Sequence, residues 1–265
     1  MSTLQDVLDR LPKELTVDLR GTVLVLRLAR PAKRNALNDA MIEGLRDLFS
    51  GLGEPVKAVV LEGEGEHFSA GLDLSEVGER DVIAGIAHSR SWHQAFEQIQ
   101  FGQVPVIAVL KGAVVGGGLE LACAAHVRVA ERSVFYALPE AQRGIFVGGG
   151  GAVRLPRLIG TSRMMDMMLT GRVYGAEEGE VVGLSSYLVD DGEGLDKALV
   201  LAERMAANAW LTNYAVLQVL PRIVESDPAS GFMTEALMAA IAQADPAAKG
   251  RLRDFLEKRA AKVKE

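Results

Sequence analysis

Two glutamates near the middle of this 265-residue chain lie beside turns marked by glycine or proline. Glu120 follows the glycine triplet 116–118, and Glu140 follows Pro139. A third segment, 68–74 (FSAGLDL), contains a bend of small residues. Two nearby carboxylates can move a proton onto or off carbon and water, and backbone N–H groups freed by glycine turns can stabilise an oxyanion. The three segments together predict an enzyme site for proton transfer beside a polarised carbonyl group.

The glycine triplet supplies the first candidate donor. The first turn of a helix has unsatisfied N–H groups and a partial positive charge, and glycine lets a ligand approach the backbone closely. The N–H of Gly117 is therefore a candidate oxyanion donor, and Glu120 lies on the same helical face. The alternative interpretation is that Glu120 only complements the helix dipole beside a tight turn.

The second candidate donor is the N–H of Leu72, in the segment 70–73. The small-residue bend leaves this N–H free, while Asp73 can cap the turn that follows; a simple glycine turn is the alternative. Two converging donors form an oxyanion hole, in which each contributes about 3 kcal/mol to lowering the barrier. Pro139 fixes the chain direction and displays Glu140, although a solvated loop glutamate also fits that position.

Composition limits the classes of function. A hydrophobic content of 49% and a charged content of 24% are typical of a soluble globular protein. The net charge of -6 argues against a nucleic-acid surface, which needs a concentrated basic face. The single cysteine, Cys123, excludes an intramolecular disulfide and a thiolate metal cluster. Its apolar surroundings favour a buried, inert thiol over a nucleophile.

The sequence also allows predictions about the cellular compartment and about metal binding. Residues 1–15 lack the apolar core of a signal peptide, and charged or histidine side chains interrupt the apolar stretch 104–130, so no membrane span is predicted. A reducing cytoplasm is the expected compartment. His67 and His88 have no partners at metal-ligand spacing, and we therefore predict no metal.

Hydrophobic periodicity predicts strand-and-helix units followed by a helical C-terminal third. The predicted strands are 15–20, 22–28, 56–61, 106–110, 126–130 and 134–137. The predicted helices are a segment capped by Asn38 and ending near Gly51, then 81–101, 116–125, a helix containing Leu155 and Leu158, 162–169, and the helical region from Leu195 that ends with 246–264. The apolar character of 106–110 predicts cover on both faces of that strand.

The order of these motifs resembles the crotonase, or enoyl-CoA hydratase/isomerase, superfamily along nearly the whole chain. The matching segments are 30–38, 67–74, 105–122, 138–140, 148–155 and 168–171. The resemblance implies an α/β fold, with a crotonase-like ββα spiral core over residues 1–195. It also implies an α-helical C-terminal trimerisation region over residues 196–265, with trimers commonly paired into hexamers.

The resemblance also implies roles at the site. The N–H groups of Leu72 and Gly117 would form the oxyanion hole for a thioester carbonyl. Members of the family that hydrate double bonds carry glutamate at both positions matched by Glu120 and Glu140. By analogy Glu140 is the main acid/base and Glu120 is the water anchor and partner. Coenzyme A is then part of the substrate, and no separate cofactor is expected.

The substrate-binding residues follow from the same resemblance. They are Lys33, Arg34, Ala36, Ala70, Gly71, Leu72, Asp73, Leu74 and Gly117. Lys33 and Arg34 are the candidates to contact the phosphates of CoA, although a solvated basic turn explains them as well. Lys262 or Lys264 of a neighbouring subunit is a further candidate, with a solvated terminal helix as the alternative.

Some residues depart from the common pattern. His126 lies where many relatives have aspartate, and Val147 lies where proline is common. The segments 136–139 and 144–151 look similar to hydratases of 3-(methylthio)acryloyl-CoA, which act in dimethylsulfoniopropionate breakdown and whose water addition leads to loss of methanethiol. Trp92 and His93 either line the acyl pocket or belong to a partly exposed amphipathic helix.

Other functions stay open at this point. One alternative is a general short-chain enoyl-CoA hydratase of fatty-acid β-oxidation, and another is an isomerase or thioester hydrolase of the same fold. One branch of the superfamily binds RNA, but the acidic balance and the paired carboxylates weigh against that function. A nucleotide-binding protein is disfavoured because segment 148–151 lacks the lysine and serine or threonine of a phosphate-binding loop.

Overall fold

The computed structural model describes residues 4–76, 78 and 80–257, which form an α/β structure. The strands are β1 (Leu15–Arg20), β2 (Val23–Leu28), β3 (Ala58–Gly63), β4 (Val106–Leu110), β5 (Ala113–Val115), β6 (Val127–Glu131), β7 (Phe135–Ala137) and β8 (Tyr187–Val189). The helices are α1 (Leu4–Leu8), α2 (Asp39–Gly51), α3 (Val82–Gln100), α4 (Gly117–Ala122), α5 (Gly151–Ile159), α6 (Thr161–Thr170), α7 (Ala176–Val182), α8 (Gly194–Ala206), α9 (Trp210–Tyr214), α10 (Leu220–Glu225), α11 (Pro228–Ala244) and α12 (Pro246–Leu256). Short 3-10 turns lie at Pro31–Lys33, Leu74–Glu76 and Ala141–Arg143, and a π-helical turn lies at Ala215–Val219.

The main sheet contains β1, β2, β3, β4, β6 and β8 in that order. β1 runs antiparallel to β2, which confirms the predicted hairpin, and the later neighbours are parallel. β3 and β4 are buried along their whole length, because both faces of these parallel strands are covered. Ile107 packs with Ala198 and Leu201 of α8, whereas Ala108 joins the larger core on the other face.

A second layer is formed by β5 and β7, which pair in parallel. Isolated bridges extend this layer on both sides: Leu37 with Leu72, Ser69 with Val114, and Tyr136 with Tyr174. Successive passes of the chain therefore lie side by side in two layers, as in the predicted spiral of strand-and-helix turns. This arrangement brings the segment around Leu72 next to the start of α4.

Local signals explain most element boundaries. The Asn38 side chain accepts a hydrogen bond from the Met41 N–H at 3.0 Å, so the predicted cap and the predicted helix α2 are confirmed. β3 was predicted at residues 56–61 but lies at Ala58–Gly63. The charged residue Glu62 continues this strand because its carboxylate pairs with Arg27 on β2 at 2.7 Å.

The chain divides into two compact units, residues 1–206 and 207–265. α8 belongs to the first unit because its buried face, including Ala198 and Ala202, packs on the main sheet. The domain boundary that the sequence placed between residues 195 and 196 falls within α8.

The described part of the second unit, residues 207–257, is helical, as predicted. Asp227 and Asp245 cap α11 and α12 by accepting hydrogen bonds from backbone N–H groups in the first turn. Lys262 and Lys264 lie outside the described residues. Among the helices that are described, none has the length and apolar character needed to cross a membrane.

Candidate active site

The backbone around Leu72 is fixed by pairing with Leu37. The Leu37 N–H donates to the Gly71 carbonyl at 2.7 Å, and the Asp73 N–H donates to the Leu37 carbonyl at 2.8 Å. Because successive peptide groups of an extended segment face opposite sides, the N–H of Leu72 faces away from Leu37. Within the described part of the chain this N–H donates no hydrogen bond, which leaves it available to a ligand.

Gly117, the first residue of α4, presents the second N–H group. The N–H groups in the first turn of a helix have no intrahelical acceptor. A Cβ atom built on Gly71 would lie 3.0 Å from the Gly117 nitrogen, and one built on Gly117 would lie 3.4 Å from the Leu72 nitrogen. Both residues line the same cavity. The structure therefore brings the two predicted oxyanion donors together.

The cavity in front of these donors has a volume of about 450 Å³. Its walls come from the second strand layer, α3, the start of α4 and the segment after β7. The lining residues are Ala70, Leu72, Leu74, Gly85, His88, Ser89, Trp92, Val115, Gly116, Gly117, Glu120, Pro139, Glu140, Arg143, Ile145, Phe146, Val147, Gly148 and Gly149. Both predicted catalytic glutamates are among them.

Glu120 is buried on α4 and is held by the glycine-rich loop 148–151. Its Oε1 atom accepts the N–H of Gly149 at 2.8 Å and the N–H of Gly151 at 2.7 Å. Burial raises the pKa of Glu120, while these N–H groups and the charge of Arg154 act in the opposite direction. The carboxylate thus lies in a desolvated site that still contains donors for its charged form.

The loop itself is held from two sides. Ser89 of α3 donates its hydroxyl to the Gly148 carbonyl at 2.6 Å. Arg154 of α5 donates Nη1 to the Gly149 carbonyl at 3.0 Å and Nε to the Gln100 side chain at 2.7 Å. Arg154 and Gln100 were not predicted as site residues, because nothing in their spacing in the sequence indicates that they meet.

Glu140 lies on the opposite side of the cavity, directly after β7. It is 8% exposed, and within the described residues its Oε2 atom has no hydrogen-bond partner. Burial, together with the negative charge of Glu120, raises its pKa to about 7 against the opposing effects of a backbone hydrogen bond and of Arg143. A carboxyl group in this setting carries a proton near neutral pH and can give it to a substrate.

The environments of the two glutamates differ in one decisive way. Glu120 accepts two backbone N–H groups and is close enough to Arg154 for attraction, whereas Glu140 has an unpartnered oxygen. In a coupled pair that shares one proton, the negative charge is best placed where donors stabilise it. The donors around Glu120 therefore favour its charged form, whereas the unpartnered oxygen of Glu140 favours the protonated form of that group.

The predicted substrate-binding residues fall into two groups. Ala70, Leu72, Leu74 and Gly117 line the cavity. Lys33, Arg34, Ala36, Gly71 and Asp73 are not among its lining residues. Residues of the second group hold the cavity-lining segment in place. The Ala70 N–H donates to the Arg34 carbonyl at 2.9 Å, and the Leu37 N–H donates to the Gly71 carbonyl.

Asp73 is a buried anchor. A hydrogen bond from the Ser75 hydroxyl, together with Arg30 at 2.7 Å and Lys33 at 3.0 Å, holds the pKa of this carboxyl well below its usual range despite burial. Lys33, predicted to contact phosphate, therefore already has an anionic partner in this structure, although half of its side chain is exposed.

Asn35 is a positioning residue that the sequence analysis missed. It has a left-handed φ of 54° and is fully buried. Its amide donates to the Glu64 carbonyl at 2.9 Å and the His67 carbonyl at 2.7 Å, and its own carbonyl accepts the Ser69 hydroxyl at 2.8 Å. The Arg-Asn dipeptide before the helix cap was read only as part of the basic segment, since such cross-links are not visible in sequence.

The structure also gives the positions of the aromatic and histidine residues that the sequence offered as candidates. Trp92 lines the cavity and packs edge-on against Phe96 with ring centroids 5.6 Å apart. His93, by contrast, is not a lining residue, and burial lowers its pKa. His126 accepts the Val106 N–H at 2.9 Å through Nδ1 and lies 3.0 Å from the Gln100 carbonyl through Nε2, which identifies Nε2 as the protonated nitrogen.

Cys123 is buried, and burial raises the pKa of its thiol to about 12. An unreactive thiol is therefore the correct interpretation. Within residues 4–76, 78 and 80–257, no group of three or more His, Cys, Asp or Glu side chains is arranged to hold a metal ion.

We compared the chain with known protein families and structures. Residues 18–265 match the model of the enoyl-CoA hydratase/isomerase family. The chain belongs to that family. It is thus an enzyme of the enoyl-CoA hydratase type, and the predicted α/β crotonase fold is confirmed.

Individual relatives cover nearly the whole chain. The 2,3-dehydroadipyl-CoA hydratase of Escherichia coli (strain K12) is 33% identical over 248 residues, which is 93% of this chain and 96% of the relative. The short-chain-enoyl-CoA hydratase of Clostridium acetobutylicum is 31% identical over 251 residues, 92% of this chain and 94% of the relative. The crystal structure of a Rhodopseudomonas palustris CGA009 protein with proposed enoyl-CoA hydratase activity is 60% identical, with a TM-score of 0.91 and coverage of 94% and 97%.

Proposed function

We propose that this enzyme adds water across the 2,3 double bond of a 2-enoyl-CoA thioester through Glu120 and Glu140. The observation that carries the proposal is that both carboxylates line the same cavity as the N–H groups of Leu72 and Gly117. An enzyme that only polarised a thioester would need the two donors alone. A second carboxylate is required when one group must take a proton from water while another delivers one to carbon.

In the first step the thioester oxygen accepts hydrogen bonds from Leu72 and Gly117. These donors are worth most when negative charge accumulates on that oxygen, so they stabilise the enolate-like transition state more than the bound substrate. The same polarisation makes C3 of the enoyl group electrophilic and prepares it for attack by water.

Water then forms the new C3–O bond while one of its O–H bonds breaks. Glu120, ionised and anchored through Oε1, takes the water proton, and Glu140 gives its proton to C2. The products are a neutral 3-hydroxyacyl thioester and a carboxylate pair that again holds one proton. Passage of that proton from Glu120 back to Glu140 restores the starting state, so no external acid or base is consumed.

For the acyl group we propose 3-(methylthio)acryloyl-CoA. Two segments support this substrate by their likeness to hydratases that act on it, namely 136–139 and 144–151, and the second of these forms a wall of the cavity. Trp92 adds an aromatic surface suited to a polarisable thioether. Water added at the carbon that carries sulfur gives a hemithioacetal, which breaks into an aldehyde and methanethiol.

A general short-chain enoyl-CoA hydratase is the second candidate, and it is favoured by the names of the curated relatives. The test is a spectrophotometric assay with crotonyl-CoA, 3-(methylthio)acryloyl-CoA and 2,3-dehydroadipyl-CoA side by side. Enoyl absorbance, free CoA thiol and methanethiol are followed separately. A higher kcat/KM for the methylthio substrate with methanethiol release supports the first candidate, and preference for crotonyl-CoA supports the second. Inertness toward all three would contradict the hydratase function.

We also propose that the basic turn at Lys33 and Arg34 contacts the phosphates of CoA. Arg34 is the better test because Lys33 also pairs with Asp73. Arg34→Gln should raise KM for an acyl-CoA about fivefold, the effect of losing one exposed ion pair. KM for the matching acyl-pantetheine, which lacks the nucleotide, should not change. An equal rise for both substrates would exclude phosphate contact.

The helices of residues 207–257 are proposed to trimerise, with pairing of trimers into hexamers. Large apolar side chains are exposed on these helices: Trp210, Val224, Phe232, Met233, Leu237, Ile241 and Leu256. Exposed apolar patches of this kind mark association surfaces. Sedimentation velocity should give a trimer or hexamer mass, and a stable monomer would contradict the proposal.

A further inference from the structure

Arg154 is a buried cation with neutral partners. It is 7% exposed and lies on α5. Its guanidinium donates to the Gln100 side-chain oxygen at 2.7 Å and to the Gly149 carbonyl at 3.0 Å. Within the described residues no carboxylate lies within ion-pair distance of it. Burying an arginine without an anionic partner costs folding free energy. We therefore expect Arg154 to have a functional role.

That role is indicated by the loop it holds. Gly149 accepts from Arg154 through its carbonyl and donates to Glu120 through its N–H. Gly151, two residues later, also donates to Glu120. Gly150 between them has a φ of 94°, and a Cβ atom there would collide with Arg154 Nη1. The guanidinium is therefore packed directly against the loop that holds a catalytic carboxylate.

We propose that Arg154 is a positioning residue for catalysis, whose guanidinium fixes the loop 148–151 so that Gly149 and Gly151 direct their N–H groups at Glu120. It does not line the cavity and has no place in contact with substrate. The inference rests on the proposed hydratase function. It assigns to Arg154 the task of keeping Glu120 oriented and ionised in a desolvated site.

Other charged and titratable groups around this pair have to be considered. They are His93, Glu97, Cys123, Arg128, Glu140 and, beside His93, Arg90. Cys123 stays neutral with a thiol pKa of about 12, and burial lowers the pKa of His93. Glu140 is therefore the carboxyl group that titrates with Glu120 near neutral pH, while the arginines contribute constant positive charge.

The test compares three variants. Arg154→Met removes the charge and both hydrogen bonds while keeping an extended side chain. Arg154→Lys keeps the charge but cannot donate to Gln100 and Gly149 in the same forked geometry. Arg157→Met is the matched control, since it removes an exposed cation one helical turn away on α5.

Steady-state kinetics with the best enoyl-CoA substrate give the main readout. Arg154→Met should lower kcat about 10²-fold, because a misplaced catalytic group costs that much, with KM changed less than about threefold. The acid limb of the pH–rate profile should move up by about one pH unit, because an opposite charge no longer favours ionised Glu120. Arg154→Lys should restore the pH profile but only part of kcat, and Arg157→Met should match the wild type.

Two further measurements separate positioning from simple stabilisation. In a Glu120→Gln background, Arg154→Met should cause little additional loss of kcat, since its target is already gone. Hydrogen exchange of the peptide that spans 148–155 should be faster in Arg154→Lys than in wild type at equal global stability, and this readout needs no substrate.

The proposal is overturned if Arg154→Lys has wild-type kcat and loop exchange, or if Arg154→Met loses kcat with an unshifted pH profile. If Arg154→Met does not fold, Arg154→Lys and the hydrogen-exchange comparison still decide the point. A wild-type enzyme that is inert toward enoyl thioesters would instead refute the proposed function, and the exchange result would then stand alone as a test of the loop contact.

Discussion

A Cβ atom at Gly116 would lie 2.6 Å from Oε1 of Glu140, so this carboxylate reaches the start of α4 only because residue 116 is glycine. Gly116 also has a φ of 54° and a ψ of -124°, a backbone conformation that L side chains rarely adopt. The same residue precedes the Gly117 N–H group. One glycine therefore sets both the approach of the proton donor and the direction of an oxyanion donor.

We predict that Gly116→Ala lowers kcat strongly but lowers the stability of the fold only modestly. The methyl group displaces the Glu140 carboxylate and strains the turn, which should lower kcat about 10²-fold and stability by about 1–2 kcal/mol. Enzyme kinetics and thermal unfolding measure the two effects.

Gly175→Ala is the control for that experiment. A Cβ atom at Gly175 has no neighbour within 4 Å, and this residue has a φ of -82°. This variant should keep wild-type kcat and lose no more than about 1 kcal/mol of stability, because alanine is less favourable than glycine at the N-cap of α7. Wild-type kcat in Gly116→Ala would show that the position of Glu140 does not depend on this contact.

The pH dependence of turnover should report the carboxylate pair. Burial raises the pKa of Glu140 to about 7, and hydration requires the pair to hold one proton. kcat/KM should therefore fall as pH rises through about 7, because the pair then loses the proton that is delivered to C2. Glu140→Gln should lack this limb in its residual activity. A profile that stays flat from pH 6 to 9 would contradict the assignment of the proton to Glu140.

The pH dependence of stability should report the same carboxyl group. The folded pKa of Glu140 is raised to about 7 from 4.5, so ionisation is harder in the folded state than in the unfolded chain. The contribution of Glu140 to wild-type stability should therefore decline as pH rises from 4.5 to 7 and stay lower above that range.

The isosteric variant Glu140→Gln removes the part of the decline that Glu140 causes, while Glu120, whose pKa burial also raises, keeps its own part. Its Tm should exceed the wild-type Tm at pH 8, and the difference should shrink as pH falls toward 4.5. Differential scanning calorimetry across this range is the measurement. A Tm difference of the same size at every pH would mean that ionisation of Glu140 has no energetic cost in the folded protein.

Asp73 should stabilise the oxyanion segment through Arg30 and Lys33. Asp73→Asn removes the negative charge from a buried network, which should cost about 3 kcal/mol at pH 7. Because the pKa of Asp73 is lowered in the folded state, its contribution is present above the unfolded pKa and is lost as pH falls through the folded pKa. Urea unfolding at pH 7 and at pH 3 measures the loss.

A matched control is available on β1. Asp18 pairs with Arg20 at 2.8 Å, but both side chains are more than 40% exposed. Asp18→Asn should change stability by about 0.5 kcal/mol or less. Equal losses of stability in Asp73→Asn and Asp18→Asn would show that the buried network stabilises the protein no more than an exposed ion pair does.

Much of the fold could be predicted from the sequence where one local signal dominates. The hairpin of β1 and β2 follows from two β-rich runs around Gly21, and α2 follows from its Asn38 cap and apolar face. The oxyanion segments were also recognisable, because glycine at residues 71 and 116–118 marks backbone that must approach a ligand. Both glutamates were placed correctly in one cavity.

The remaining features depend on partners distant in sequence. β5 and β8 are three residues long each, too short for a period-2 pattern to be distinguished from a loop, whereas the strand predicted at 134–137 is confirmed as β7. The clamp formed by Arg154 and Gln100 joins residues 54 positions apart. The cross-links of Asn35 likewise reach Glu64 and His67. Such contacts arise from the spiral and have no local signature.

The central claim is that Glu120 and Glu140 together add water to a bound enoyl thioester. The most direct test measures kcat and acyl-CoA binding for Glu120→Gln and Glu140→Gln beside the wild type. Each variant should lose about two to four orders of magnitude in kcat, with Kd for a saturated acyl-CoA unchanged, since the Leu72 and Gly117 donors remain. Full hydratase activity in either variant would contradict the paired-carboxylate mechanism.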